Sequence, residues 1–227
     1  MKNQYYDKLR HNIRQWLLGK NYHIALAAME LGLKHHTGFR KDGITPEFQH
    51  QVSQATFCRT LNDLLLFPEE TISVIFLHDI VEDCNITHGE VREYLREKGA
   101  TEAQLDLIMR GVELMTNQYG DGFVANQKSP KKPKEEYYEA MVNCPIASVC
   151  KGMDRMHNHQ SMVGVFTPQK QLSYIAETRD YIIPMLKKAR KTWSRQEGVL
   201  TNIKHILEVQ MELVDALTAP TEESTGC

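Results

Sequence analysis

Between Ile72 and Asp83 the chain sets seven large apolar residues and four ionisable ones into one short run. The apolar residues are Ile72, Val74, Ile75, Phe76, Leu77, Ile80 and Val81; the ionisable ones are His78, Asp79, Glu82 and Asp83. So apolar a stretch must be covered on nearly every side, and that requires several other elements packed around it. Read as a helix turning about 100° per residue, it puts His78 and Glu82 on nearly one line, and Asp79 and Asp83 on another. An imidazole and three carboxylates in such surroundings carry a large desolvation cost unless something compensates them. A bound cation would do so. The plainer alternative is a helix end where these groups meet water.

The chain has 227 residues, which predicts one domain over 1–227 with a substantial core. Its net charge of −2 gives no general attraction to nucleic acid or to an anionic membrane. No apolar run reaches membrane-spanning length, and Met1–Asp7 lacks an apolar signal core. Five cysteines (Cys58, Cys84, Cys144, Cys150 and Cys227) form no CxxC pair. They read as reduced thiols of a cytoplasmic protein, with Cys58 and Cys150 in the core.

Helical periodicity dominates and predicts an all-α, compact bundle of about nine or ten helices. Gly19 is expected to end the first helix. Thr45-Pro46 should open a helix that runs to about Leu66. A single helix should then start at Pro68 and continue through His78 and Asp79 to Asn85. Thr87–Glu90 has capping-box spacing, and Thr101-Glu102 opens another helix. Residues 117–133 read as one long irregular stretch. Its lysines Lys128, Lys131 and Lys132, with Lys134 just beyond, suit a solvated connection; a lid over a pyrophosphate is the alternative. Pro184 should interrupt a helix begun at Pro168. A last helix is expected to about Leu217, with a polar, frayed tail after it.

Two segments offer partners for the central run. One is Arg40-Lys-Asp-Gly-Ile-Thr-Pro46-Glu-Phe-Gln-His50; the other is Lys151-Gly-Met-Asp154-Arg155-Met-His157-Asn158. His50 alone would pass for an ordinary surface or core histidine. Together, His50, His78, Asp79 and Asp154 would supply two imidazoles and two carboxylates. That mixed set suits a first-row divalent ion with positions left for water and a phosphate oxygen.

These three blocks, in this order, resemble the HD-domain hydrolase module of the Rel/Spo family, enzymes that degrade the alarmones (p)ppGpp. The family carries Arg-Lys-Ser-Gly…Pro…His, Leu-His-Asp-Val-Val-Glu-Asp and Lys-Leu-Ala-Asp-Arg-Leu-His-Asn at the matching places. Gly111-Val112 is a weaker fourth match, followed by Glu113-Leu114 where the family has Thr-Lys. The resemblance covers about residues 20–190 and leaves 191–217 as a helical extension. It has departures: Ile44 and Thr45 reshape the loop before Pro46, Gly152-Met153 replace Leu-Ala, and His159-Gln160 replace Met-Arg.

The resemblance implies one Mn²⁺ held by His50, His78, Asp79 and Asp154. It implies that Glu82 and Asp83 orient or activate the attacking water, and that Arg40 lies against the purine with Lys41 nearby. Asn158 would hold the sugar side, and Lys170 and Tyr174 would contact phosphate and ribose. The expectation is a stand-alone hydrolase of a small-molecule nucleotide, removing the 3′-pyrophosphate, with no nucleic acid or membrane partner and a homo-oligomer left open. Its rivals are an HD phosphohydrolase acting on NADPH or a deoxynucleotide, a catalytically silent nucleotide-binding regulator, and nucleic-acid binding through Lys128–Lys134, which the near-neutral charge disfavours.

Overall fold

The computed structural model describes residues 2–124 and 127–218. The polar tail beyond Thr218 and Cys227 lie outside the described residues. Twelve α-helical segments dominate: α1 (Lys2–Lys20), α2 (His23–His35), α3 (Gln49–Cys58), α4 (Pro68–Leu77), α5 (Ile80–Asp83), α6 (His88–Glu97), α7 (Glu102–Met115), α8 (Lys134–Val142), α9 (Pro145–Met162), α10 (Pro168–Glu177), α11 (Ile183–Thr192) and α12 (Glu197–Thr218). Since α4/α5 and α10/α11 are each one helical run with an interruption, the described residues form an all-α bundle of ten such runs. No helix among the described residues is long and apolar enough to cross a membrane.

The apolar run lies at the centre. Every residue from Thr71 to Leu77 is buried. Helices α2, α3, α7 and α9 pack around α4. The two polar side chains inside it are satisfied locally: Thr71 Oγ1 donates to the Phe67 carbonyl at 2.7 Å and Ser73 Oγ to the Glu69 carbonyl at 2.8 Å. The covering helices come very close. A Cβ on Gly111 of α7 would stand 2.6 Å from Val74 Cγ2, so only glycine lets α7 approach there.

Local signals explain most boundaries. Thr87 and Glu90 form a capping box at α6, and Thr101 and Gln104 another at α7. Asn85, with a φ of 51°, closes the run that contains α5. The first helix continues through Gly19 to Lys20 and is turned by Asn21, whose φ is 59°. Thr45 and Pro46 do not open α3. Asp42 captures the Ile44 and Thr45 amides at 2.9 and 2.8 Å, Pro46 pairs with Phe39 in a β-bridge, and the helix begins at Gln49. Residues 117–133 are more ordered than the sequence suggests: β1 (Phe123–Val124) pairs antiparallel with β2 (Gln127–Lys128), and Gln118 bridges Lys131. Between α10 and α11 the chain takes one wide π-helical turn, Thr178–Ile182. Pro184, which lacks an N–H and crowds the preceding turn, accounts for the change of pitch.

Helix α12 packs along α9. A Cβ on Gly152 would come within 2.6 Å of Ile203 Cγ2 on α12 and 3.2 Å of Leu186 Cδ2 on α11. The departure from the Rel/Spo leucine therefore makes room for α12. Gly152→Leu is expected to lower stability by about 1–3 kcal/mol, the usual cost of overpacking. Urea unfolding measures it, and Ile203→Ala in the same chain should recover part of the loss; no recovery would separate Gly152 from the α12 contact.

Candidate metal centre

Each polar group of the cluster is delivered by a different local device. Helix α3 brings His50 in its first turn, and α9 brings Asp154 near its middle. His78 and Asp79 fall in the break between α4 and α5, so the single helix expected there is interrupted at the two residues that matter. His78 Nδ1 donates to the Ile75 carbonyl at 2.8 Å. A side-chain donor on that carbonyl competes with the helical ladder at this point.

The groups converge. His50, His78 and Asp154 each present an atom within 4.8 Å of the others. His50 Nε2 lies 3.0 Å from Asp154 Oδ1, and His78 Nε2 lies 3.8 Å from the same oxygen. Asp79 joins through His78, its Oδ2 being 3.0 Å from His78 Nε2. The His50 and His78 side chains are only 3% and 1% exposed, against 29% for Asp79, so the cluster opens to solvent on the Asp79 side.

The residues fit a divalent cation. With its Nδ1 hydrogen spent on Ile75, His78 turns the Nε2 lone pair toward two carboxylates, and no hydrogen bond satisfies that atom. Two carboxylates facing a lone pair in a buried site require a positive charge between them. Without a metal, a proton supplies it: burial works to lower the His78 imidazole, but Asp79 and Asp154 override this and raise it to about 9. A metal ion would take that proton's place and release it. Asp154 itself stays well below the usual carboxylate range, because Lys151 and His50 outweigh the effect of burial. Lys151 Nζ holds Asp154 Oδ2 at 3.1 Å and Asn158 Nδ2 donates to Oδ1 at 2.8 Å, which fixes the carboxylate.

A cavity of about 480 Å³ opens beside the cluster. Of the residues singled out in the sequence, Arg40, Lys41, His50, Asp79, Asp83, Asn158 and Tyr174 line it. The Arg40 loop is shaped by its own side chains: the Arg40 amide donates to the Thr45 carbonyl at 2.8 Å, and Gly43 turns the chain with a φ of 69°. Arg40 Nη2 reaches Asn158 Oδ1 and Ser161 Oγ, each at 3.3 Å. Lys170 lies at the edge, its Nζ 4.2 Å from the centre of the Phe166 ring, while Lys41 Nζ is 4.8 Å from the same ring. Burial and Lys170 both lower the Lys41 ammonium. The two ammonium groups thus share one aromatic face, a suitable receptor for a polyanion.

The two acids after the ligands part company. Asp83 is exposed, lines the cavity and accepts from Lys128 of β2 at 2.7 Å. Glu82 is half-buried, is not among the residues that line the cavity, and lies within electrostatic reach of Asp79 and Lys151. Burial and the neighbouring Asp79 raise its carboxyl, against the opposing effects of Lys151 and the Asn117 amide.

Several contributors carry no individual signal in the sequence. His50 Nδ1 meets His157 Nδ1 at 2.8 Å, the two rings sharing one hydrogen, and burial drives His157 down to about 3, so His157 is neutral. Gln54 Nε2 touches His50 Nε2 at 2.6 Å, and Gln51 Nε2 donates to Asp79 Oδ2 at 3.4 Å. Gln54 stands four residues after His50, a helical spacing that was available as a clue. Phe166 had only its place before the Thr167 cap.

No family model matches the chain. Over 150 residues, 66% of its length, it is 25% identical to a Synechocystis sp. protein described as a probable guanosine-3′,5′-bis(diphosphate) 3′-pyrophosphohydrolase. The chain spans 18% of that relative's length. The likeness is distant. It supports at most a remote relationship to Rel/Spo-type proteins, beside a buried His and Asp cluster that could hold a metal ion.

Proposed function

We propose that this chain removes the 3′-pyrophosphate from (p)ppGpp-type guanosine nucleotides, releasing GDP or GTP and pyrophosphate, with Mn²⁺ as the metal. The observation that carries the reading is the buried His50, His78 and Asp154 cluster, with Asp79 on its open side, next to a cavity lined by Arg40 and Lys41. His50, His78, Asp79 and Asp154 would hold the ion. When bound, it would polarise a phosphoryl oxygen and make the attacking water more acidic.

The rest falls to the chain. Water's oxygen joins the phosphorus, the bond from that phosphorus to the ribose 3′-oxygen breaks, and a proton returns to that oxygen. Glu82, with its raised carboxyl, accepts a proton from the water, and Asp83 orients it. Lys41 and Lys170 receive the phosphates. Arg40 lies flat against the guanine, held from behind by Asn158 and Ser161. Asn158 and Tyr174 bound the sugar side. The guanosine bis(diphosphate) comes from the name of the distant relative and from the motif resemblance.

The test is a substrate panel on purified protein with Mn²⁺, read by product chromatography. GDP and pyrophosphate from ppGpp are expected; hydrolysis of NADPH or a deoxynucleoside triphosphate with no ppGpp turnover would overturn the alarmone reading and leave the metal centre standing. Arg40→Lys sharpens it. An ammonium keeps the charge but loses the planar stacking face, so KM for ppGpp should rise about fivefold, roughly 1 kcal/mol, at unchanged melting temperature. An unchanged KM would remove Arg40 from the base site.

A further inference from the structure

Helix α10 carries two of the proposed substrate contacts, Lys170 and Tyr174, yet little of it is buried. Of its ten residues only Gln171 and Ile175 are covered. Gln171 turns its amide to the adjoining segment, Nε2 donating to the Phe166 carbonyl at 2.8 Å. Apolar burial alone therefore does little to fix the roll of α10, and that roll decides where Tyr174 points.

Two side chains of α9 supply the missing constraint. Arg155 and His159 stand four residues apart, so they share one face of that helix. They are 5% and 2% exposed, and both reach the end of α10. The Arg155 guanidinium lies over the Tyr174 ring, 4.8 Å from its centre, and Nη1 donates to the Tyr174 carbonyl at 3.4 Å. Nη2 pairs with Glu177, which also holds Lys134 at 2.8 Å and accepts from the Tyr138 hydroxyl at 2.6 Å. The Thr178 hydroxyl gives its hydrogen to the same Tyr174 carbonyl at 2.8 Å, and its oxygen meets His159 Nε2 at 3.0 Å. Phe166 touches the Tyr174 ring edge-on, with centres 5.4 Å apart. These contacts converge on a residue that lines the cavity beside the metal cluster. A buried ion pair adds little net stability over apolar groups of the same size, but it does fix direction. His159 is particular to this chain: the Rel/Spo blocks carry methionine there, which offers no N–H to Thr178.

We propose that Arg155 and His159 are positioning residues that clamp the C-terminal end of α10 and so set Tyr174, with Lys170 one turn before it, toward the substrate. The inference rests on the reading of Tyr174 and Lys170 as nucleotide contacts.

His159→Met, Thr178→Val and their double variant test it in Mn²⁺-loaded protein with ppGpp. Each single change should raise KM about fivefold and leave kcat within about twofold at unchanged metal content, the scale of one lost buried hydrogen bond. Because the same contact is lost in all three, the double variant should be no worse than either single one. In a Tyr174→Leu background His159→Met should add nothing. Arg155→Lys, which keeps the charge for Glu177 but not the flat face, should act in the same direction. A readout without substrate runs beside the kinetics. In fluorotyrosine-labelled protein, the fluorine resonance that Tyr174→Phe removes should shift in His159→Met and in Arg155→Lys, while the one that Tyr94→Phe removes stays. An unmoved Tyr174 resonance or an unchanged KM overturns the clamp. So does loss of metal, additivity in the double variant, or an effect that persists in the Tyr174→Leu background. If the parent does not turn over ppGpp, the hydrolase reading falls and the Tyr174 resonance alone decides the clamp.

Discussion

Asp79→Ala is expected to abolish metal retention and hydrolysis together. Asp79 is the ligand candidate on the open side of the cluster, with its Oδ2 3.0 Å from the His78 nitrogen that no hydrogen bond satisfies. Removing it leaves His50, His78 and Asp154, a set with one negative charge fewer for a dication. It also withdraws the nearest carboxylate from His78, the larger of the two influences that raise that imidazole. Elemental analysis after gel filtration gives the first readout and product chromatography the second. Equal metal content in the variant and the parent would strike Asp79 from the ligand set. Asp154→Asn is the natural companion. Because Lys151 stands 3.1 Å from the lost charge, it should also lose stability, a signature absent from Asp79→Ala.

Glu82→Gln is expected to keep the metal and slow turnover by about 10²–10⁴, the usual scale of acid–base assistance. The carboxyl is raised by burial and by Asp79, which brings it nearer to neutrality and suits it to accepting a proton. The amide keeps its shape and cannot do so. The pH profile adds a second check, since an activity limb that depends on Glu82 should vanish in the variant. Loss of the metal from Glu82→Gln would instead make this residue part of the coordination sphere. Asp83→Asn separates the pair further. Asp83 is exposed and ion-paired with Lys128, so its replacement alters an exposed ion pair, whereas that of Glu82 alters a half-buried group.

How much of this was legible in the sequence depended on the range of the interaction. The candidate ligand residues could be picked out because each sits in a short block whose composition is odd for its position: ionisable groups inside an apolar run, or a histidine following an Arg-Lys-Asp-Gly turn. The all-α bundle was legible because apolar spacing and capping pairs are local. The break at His78-Asp79 was not. Ile80 and Val81 continue the apolar pattern straight through it, and the side-chain bond from His78 to the Ile75 carbonyl that accompanies the break has no local sequence signal. The late start of α3 was hidden in the same way, since the Thr45 hydroxyl expected to cap it donates instead to Asp42 Oδ2 at 2.6 Å. Gln54 was legible only as a helical spacing, four residues after His50; its contact with the His50 ring is made by the fold.

The packing of α12 against Gly152 sets an order of assembly. Residues enter the world from the ribosome N-terminus first, at about 5–20 per second, and earlier helices begin to associate while later ones are still being made. His50, His78, Asp79 and Asp154 are all synthesised before Glu197. Yet the helix that carries Asp154 has a bare glycine where α12 is to lie, an apolar groove open to water until that helix emerges. Until α12 follows, α9 is therefore unbraced on the face that carries Gly152, and the packing of α12 there covers the helix that holds Asp154.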